Sequence, residues 1–306
     1  MSIKICTAPC CWGVDDPKNP YLPHWTQVLH EASRAGYKGI ELGPYGYLPI
    51  DVQQVSDELA KNDLFIVAGT IFDDLVSIEN QAALEQQAHN ICQLITKLPQ
   101  VAPEPDQKFA TPYLVLIDWG HDERDYAAGH PDTAPRLSPI QWQQMISHIK
   151  NLAAIAQSYG IRAVIHPHAG GYIEFADEID NVVRDIPYDL AGLCLDTGHL
   201  YYSKIEPLAA LKKYWPFVDY LHFKDIDLSV YQKVMNEKIR FFEACAKGVM
   251  CRIGEGTLAY PEIYRLLKAL NYQGYITVEQ ERDPRNSGSS LDDVKISRDY
   301  LKRIGF

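Results

Sequence analysis

Ile165-His166-Pro167-His168, Asp196-Thr197-Gly198-His199 and His222-Phe223-Lys224-Asp225 fall within one stretch, Arg162–Asp225, and its reading decides the fold. Each run closes a short apolar segment: Arg162–Ile165, Leu190–Leu195 and Val218–Leu221. Short, continuous apolar runs suit parallel strands covered on both faces. Amphipathic segments of helical length lie between them. One polar cluster at a strand end is an ordinary polar loop, but three in consecutive strand–helix units bring strand ends to a common point. The imidazoles and carboxylates gathered there are the donors a divalent cation takes.

The same alternation runs outward to both ends of the chain. Ile3–Pro9, Gly39–Gly43, Leu64–Ile71, Tyr113–Asp118, Arg162–His168, Leu190–Asp196, Val218–Asp225 and Gly274–Glu279 are the predicted strands one to eight. Helices are predicted from Pro23 to Gly36, over Val52–Asn62 behind an Asp51 cap, over Ser77–Leu98 and from Ser138 to Gly160. Further helices follow over Phe175–Asp185, Glu206–Tyr214, Tyr260–Leu270 and Leu291–Ile304. Ser229–Lys247 reads as an extra helix between strand seven and its helix, and as a candidate dimer element, although packing on its own barrel is the plainer reading. Pro99–Pro112 reads as a solvated loop on the face opposite the polar clusters. Trp119–Leu137 is long enough to be a functional lid. Eight such units without a linker predict one α/β domain over residues 1–306, a (β/α)8 TIM barrel. No glycine-rich dinucleotide fingerprint follows strand one, which argues against an open doubly wound sheet.

Composition narrows the function classes. A net charge of −11 disfavours a nucleic-acid partner. No apolar run approaches the roughly 20 residues of a membrane span, and the first residues do not read as a signal peptide. Seven thinly scattered cysteines fit a reducing, cytoplasmic compartment. Cys10-Cys11 reads as a pair of small buried thiols at a strand end.

In a barrel of this kind the chemistry sits at the C-terminal ends of the strands. His166 and His168 share a side of strand five, Asp196 ends strand six with His199 one turn on, and His222 ends strand seven with Lys224 on its side. Glu279 ends strand eight and shares its side with Glu281. By position the best metal set is His166, Asp196, His222 and Glu279, suited to Mn²⁺, Co²⁺, Zn²⁺, Fe²⁺ or Mg²⁺.

These residues resemble the xylose-isomerase-like TIM-barrel superfamily of sugar isomerases and epimerases. In that superfamily Glu, Asp, His and Glu end strands five to eight and hold the metal. Asp196, His222 and Glu279 match the last three. The first position falls on His166, so His166, His168 or Glu174 completes the shell. Within the superfamily the chain is most similar to the inosose (2-keto-myo-inositol) dehydratases. The similarity lies in Trp12-Gly13-Val14-Asp15-Asp16, His166-Pro167-His168-Ala169-Gly170, Asp196-Thr197-Gly198-His199, His222-Phe223-Lys224-Asp225 and Val278-Glu279. Loops three and four, Gly69–Asp73 and Trp119–Asp122, depart from that pattern.

The resemblance implies a small keto-polyol or sugar as substrate. A metal there would polarise a carbonyl and stabilise an enediolate, leading to water loss in a lyase or proton return in an isomerase or epimerase. Candidates for the proton work are Lys224 (its pKa lowered beside a cation), His168, His199, Glu174 and Glu281. Trp12 and Phe72 could wall the substrate, and Arg282 could bind its oxygens. A three-metal nuclease of the endonuclease IV type and a non-catalytic sugar-binding barrel are the other classes. The charge speaks against the first, and the His at the first ligand position keeps the second open.

Overall fold

The computed structural model describes residues 2–306. Its main sheet is wholly parallel and closes on itself. Closure runs through the third predicted strand, which is interrupted at Val67. Its first part, Phe65–Ile66, pairs with Gly39–Ile40, and its second, Ala68–Asp73, pairs with Tyr113–Asp118. Val67 bridges both neighbours, donating to Ile40 O at 3.0 Å and accepting from Tyr113 N at 3.0 Å. The remaining barrel strands are Ile3–Thr7, Arg162–Ile165, Ala191–Asp196, Val218–Phe223 and Gly274–Val278. The expected (β/α)8 barrel is therefore present.

Two cores hold it together. Helices pack on the outside of the sheet through one apolar layer that includes Val28, Leu59, Ile91, Ile149, Ile179, Leu211 and Ile263. Inside the barrel a second cluster, with Cys6, Val67, Tyr113, Val164, Cys194 and Tyr220, plugs the floor beneath the mouth. Side chains alternate along a strand, so Val164, Cys194 and Tyr220 in the plug set His166, Asp196 and His222 one layer higher. A bulge between Leu193 and Cys194 shifts the register against strand seven, so that Asp196 lies beside His222. The residue it skips, Asp219, turns to accept from Arg162 Nε at 2.8 Å and Tyr188 Oη at 2.5 Å. A Cβ at Gly192 would stand 2.0 Å from Asp219 Oδ2, so only glycine fits there.

The insertion after strand seven holds two helices rather than the single one expected, Leu228–Glu237 and Phe241–Ala246. Lys238 takes the left-handed conformation (φ 52°) and ends the first. The excursion returns through an antiparallel pair, Asp225–Ile226 with Met250–Cys251. It packs on its own barrel through Val234, Phe241, Ala244 and Cys245. A short helix, Thr197–Tyr202, also follows strand six unannounced. Asp196 is its cap, accepting from Gly198 N at 2.8 Å and His199 N at 2.9 Å. No helix among the described residues is long and apolar enough to cross a membrane.

Candidate metal centre

His166, Asp196, His222 and Glu279 meet at the mouth, with one ligand atom of each within 4.8 Å of all the others. Asp196 spends Oδ1 on its helix cap, which leaves Oδ2 to face the cluster. His166 Nε2 lies 3.6 Å from Asp196 Oδ2, and His222 Nδ1 lies 2.9 Å from Glu279 Oε2. Both nitrogens of His166 are buried without a hydrogen-bond partner, and Nδ1 of His222 meets only the Glu279 carboxylate. Buried polar nitrogens are seldom left so, and ligation is one way to satisfy them. Glu41, at the end of strand two, accepts from His222 Nε2 at 2.8 Å and from Tyr220 Oη at 2.7 Å. It thereby fixes the His222 ring with Nδ1 toward the cluster. Four carboxylates, Glu41, Asp196, Glu279 and Glu281, are buried here. So dense a set of buried acids demands cations. The donors fit a divalent metal.

Lys224 supplies one cation already. Its Nζ donates to Asp196 Oδ2 at 2.6 Å, to Glu279 Oε2, and lies 3.0 Å from Glu281 Oε1. Burial opposes its charge, but Asp196, Glu279 and Glu281 outweigh that and hold its pKa well above the usual lysine value. The sequence expectation is a pKa lowered beside a metal cation; the carboxylates around Lys224 act in the opposite direction. A Cβ at Gly198 would lie 2.5 Å from Lys224 Cβ, so that glycine clears a path for the lysine stem.

Residues 29–304 match the family described as Xylose isomerase-like TIM barrel. The chain belongs to that family. An inosose dehydratase of Clostridium botulinum (strain Alaska E43 / Type E3) is 26% identical over 302 residues, spanning 98% of this chain and 96% of the relative. The L-ribulose 3-epimerase structure superposes with a TM-score of 0.69 at 14% identity, covering 99% and 96% of the two chains. The IOLI protein with a binding zinc atom gives a TM-score of 0.70 at 12% identity, covering 98% and 97%. The family match and the inosose dehydratase relative mark the chain as an enzyme.

Around the strand-end cluster, two further histidines are fixed in opposite tautomers. Ala169 N donates to His199 Nδ1 at 3.1 Å, so the hydrogen of neutral His199 is on Nε2, 3.5 Å from Glu281 Oε1. His168 Nδ1 donates to Ala169 O at 2.9 Å, which leaves Nε2 with the lone pair. The rings lie with centroids 3.9 Å apart, their planes tilted by 38°. Burial, and then each one's cationic or imidazole neighbours, hold both pKa values well below the usual histidine value. Both rings are therefore neutral.

A cavity of about 420 Å³ opens above the cluster, lined by His166, His168, Lys224, Glu279, Glu281 and Phe72. Trp119, from loop four, lines it as well, and so does Phe242, which did not stand out in the sequence. Asp15 is on its wall, where burial and then the Glu281 and Glu279 charges push its carboxyl well above the usual range.

Three expected site residues lie elsewhere or do other work. Trp12 is wholly buried, donating from its indole nitrogen to Glu31 at 2.6 Å, and does not line the cavity. Glu174 is a structural tie: it accepts from Gly129 N (2.7 Å), Gly170 N (3.0 Å), Ser203 Oγ (3.0 Å) and Arg124 Nη2 (3.2 Å). With four donors it has no oxygen left for substrate or metal. Arg282 is clasped by Asp293 at 2.8 Å and faces a space outside the cavity. Glu41 was the residue missed, although a carboxylate ending an apolar strand run is the same signal that marked Asp196.

Proposed function

We propose that the protein is a divalent-metal-dependent lyase that removes water from a keto-polyol through an enediolate, in the manner of an inosose dehydratase. The observation that carries this is the buried His166, Asp196, His222 and Glu279 cluster, in which both nitrogens of His166 lack a hydrogen-bond partner. The names of the inosose dehydratase relatives and the zinc of the IOLI neighbour support it. The metal, one of Mn, Co, Zn, Fe or Mg, would supply Lewis-acid polarisation of the substrate carbonyl and charge for the enediolate.

The chain's own groups divide the remaining work. His168 Nε2, neutral with a free lone pair on the cavity wall, takes the C–H proton. His199 Nε2–H donates to a substrate oxygen and stabilises it as charge develops. Asp15, its carboxyl held above the usual range by burial and the Glu281 and Glu279 charges, gives its proton to the departing hydroxyl, which leaves as water. Lys224 holds Asp196, Glu279 and Glu281 in place and balances their charge. Phe72 and Trp119, stacked with centroids 5.4 Å apart, form the apolar wall and exclude water. The seven free cysteines support a reducing, cytoplasmic setting.

The test is to incubate metal-loaded protein with scyllo-inosose in deuterated water. Growth of enone absorbance is the expected result. Deuterium uptake without water loss would replace the lyase with an epimerase, and neither signal would remove both readings for this substrate.

A further inference from the structure

The cavity over the metal cluster has a neighbour. A second chamber, of about 700 Å³, lies toward solvent. Asp15, Asp16, Phe72, Trp119 and Phe242 line both, so the two meet at an aromatic neck. The outer walls come from Lys18–Tyr21, Ala246 and Arg282–Arg285. Ligand cavities run from roughly 300 to 1,000 Å³, so the inner chamber alone accommodates one small ring. The outer chamber is space that such a ring does not need.

Its lining says what it would hold. The Tyr21 ring stands 62% exposed at the rim, with the Arg285 guanidinium 5.7 Å from its centroid. At the neck, Phe242 meets Trp119 edge-on, with centroids 5.0 Å apart. Flat aromatic faces framed by carboxylate, amide and ammonium groups suit a hydroxylated ring, whose C–H faces stack while its hydroxyls find polar partners. Two polar groups lack partners. Asp15 makes no hydrogen bond among the described residues, and it borders both chambers. Arg282, its side chain only 9% exposed, leaves Nε and Nη2 unpaired while Nη1 is held by Asp293 and Ser289. An anionic ligand is the weaker fit, because both arginines of the lining are already matched: Asp283 accepts from Arg285 Nε at 2.9 Å, and Asp293 neutralises Arg282.

We propose that the outer chamber is a second subsite for a hydroxylated ring joined to the keto-polyol, so that the full substrate is a two-ring keto-glycoside. The proposal rests on the keto-polyol reading of the inner chamber.

Calorimetry on the full chain with Mn²⁺ added would compare 3-ketoglucose with a 3-keto-disaccharide carrying the same keto ring. The disaccharide should bind about tenfold tighter, the gain expected from one added aromatic–ring contact and its hydrogen bonds. Two substitutions at exposed positions bordering only the outer chamber, Ala246→Trp to fill it and Tyr21→Ala to remove its platform, should each erase that gain. They should leave the 3-ketoglucose affinity unchanged. Equal affinities in the unaltered protein, or a gain that survives both substitutions, would overturn the subsite while turnover of scyllo-inosose keeps the inner reading. If neither keto-sugar binds and scyllo-inosose is not turned over, the keto-polyol reading falls and the subsite with it.

Discussion

Lys224 Nζ donates to Asp196 Oδ2 at 2.6 Å, and Asp196 Oδ2 is the oxygen that faces the candidate metal cluster. The ammonium and an incoming metal therefore compete for one carboxylate. Replacing the lysine by Lys224→Met leaves Asp196, Glu279 and Glu281 buried without it. Breaking a buried pair in this way costs about 3–5 kcal/mol. The variant should melt lower than the unaltered protein without metal, recover much of the loss when Mn²⁺ or Zn²⁺ is added, and bind metal more tightly by calorimetry. Equal metal affinity in the two proteins would show that the lysine does not compete.

The identity of the first ligand is tested by a pair of substitutions. His166→Ala should abolish the rise in melting temperature on adding metal, a gain of about 2.7 kcal/mol at a hundredfold excess over Kd. His168→Ala should keep that rise and lose turnover, because His168 holds a free lone pair outside the cluster. The opposite pattern would move the metal to His168.

Glu41 reaches the metal only through His222. Glu41→Gln should lower metal affinity by about 10- to 100-fold, the usual cost of losing such a support. The fold itself should survive, since glutamine retains the volume and an acceptor for Tyr220. An unchanged affinity would remove Glu41 from the account.

Arg124 is wholly buried and spans Glu174 and Glu178, at 3.2 and 2.7 Å. Arg124→Met removes the buried cation that both carboxylates share, leaving Glu174 only neutral donors and Glu178 the half-buried Arg136, and a loss of about 3 kcal/mol in denaturant unfolding is expected. Metal affinity at the strand ends should change little, because neither glutamate belongs to the cluster.

His121 gives a pH signature. Burial opposes its charge, but the 3.0 Å contact with Asp118 and the nearby Asp74 prevail and raise its pKa. A raised histidine contributes stability that is whole below its unfolded pKa of about 6.5 and is lost as pH climbs through the folded value. The stability difference between the unaltered protein and His121→Gln should therefore be largest near about pH 5.5 and shrink by about pH 9. A difference that grows with pH would contradict the assignment.

The sequence carried most of this architecture because parallel strands buried on both faces are plain apolar runs, and their polar terminators stand out against them. That is why His166, Asp196, His222 and Glu279 could be grouped before their positions were known. Other features depend on contacts between distant segments. Nothing local to Glu174 announces that Gly129, Gly170 and Ser203 will take up its oxygens, and nothing local to Trp12 announces that Glu31 will draw its indole inward. The break in the inserted helix at Lys238 escaped notice because a lysine in the left-handed conformation has no compositional mark. The lysine ammonium is similar: the sign of its pKa shift depends on three carboxylates from strands six and eight converging on it.

The Glu174 tie has a consequence for remodelling this protein. It fastens the loops that follow strands four, five and six to one another, and Asp125 extends the bond to the inserted helices by accepting from Phe241 N at 2.9 Å. These segments can be transplanted into another barrel only as a set, since the loop after strand four or five moved alone would carry half of a buried charge pair, and the loop after strand six would take Ser203 away from Glu174. The loop after strand one, which borders both chambers and is outside that fastening, is the natural place to vary what the protein accepts.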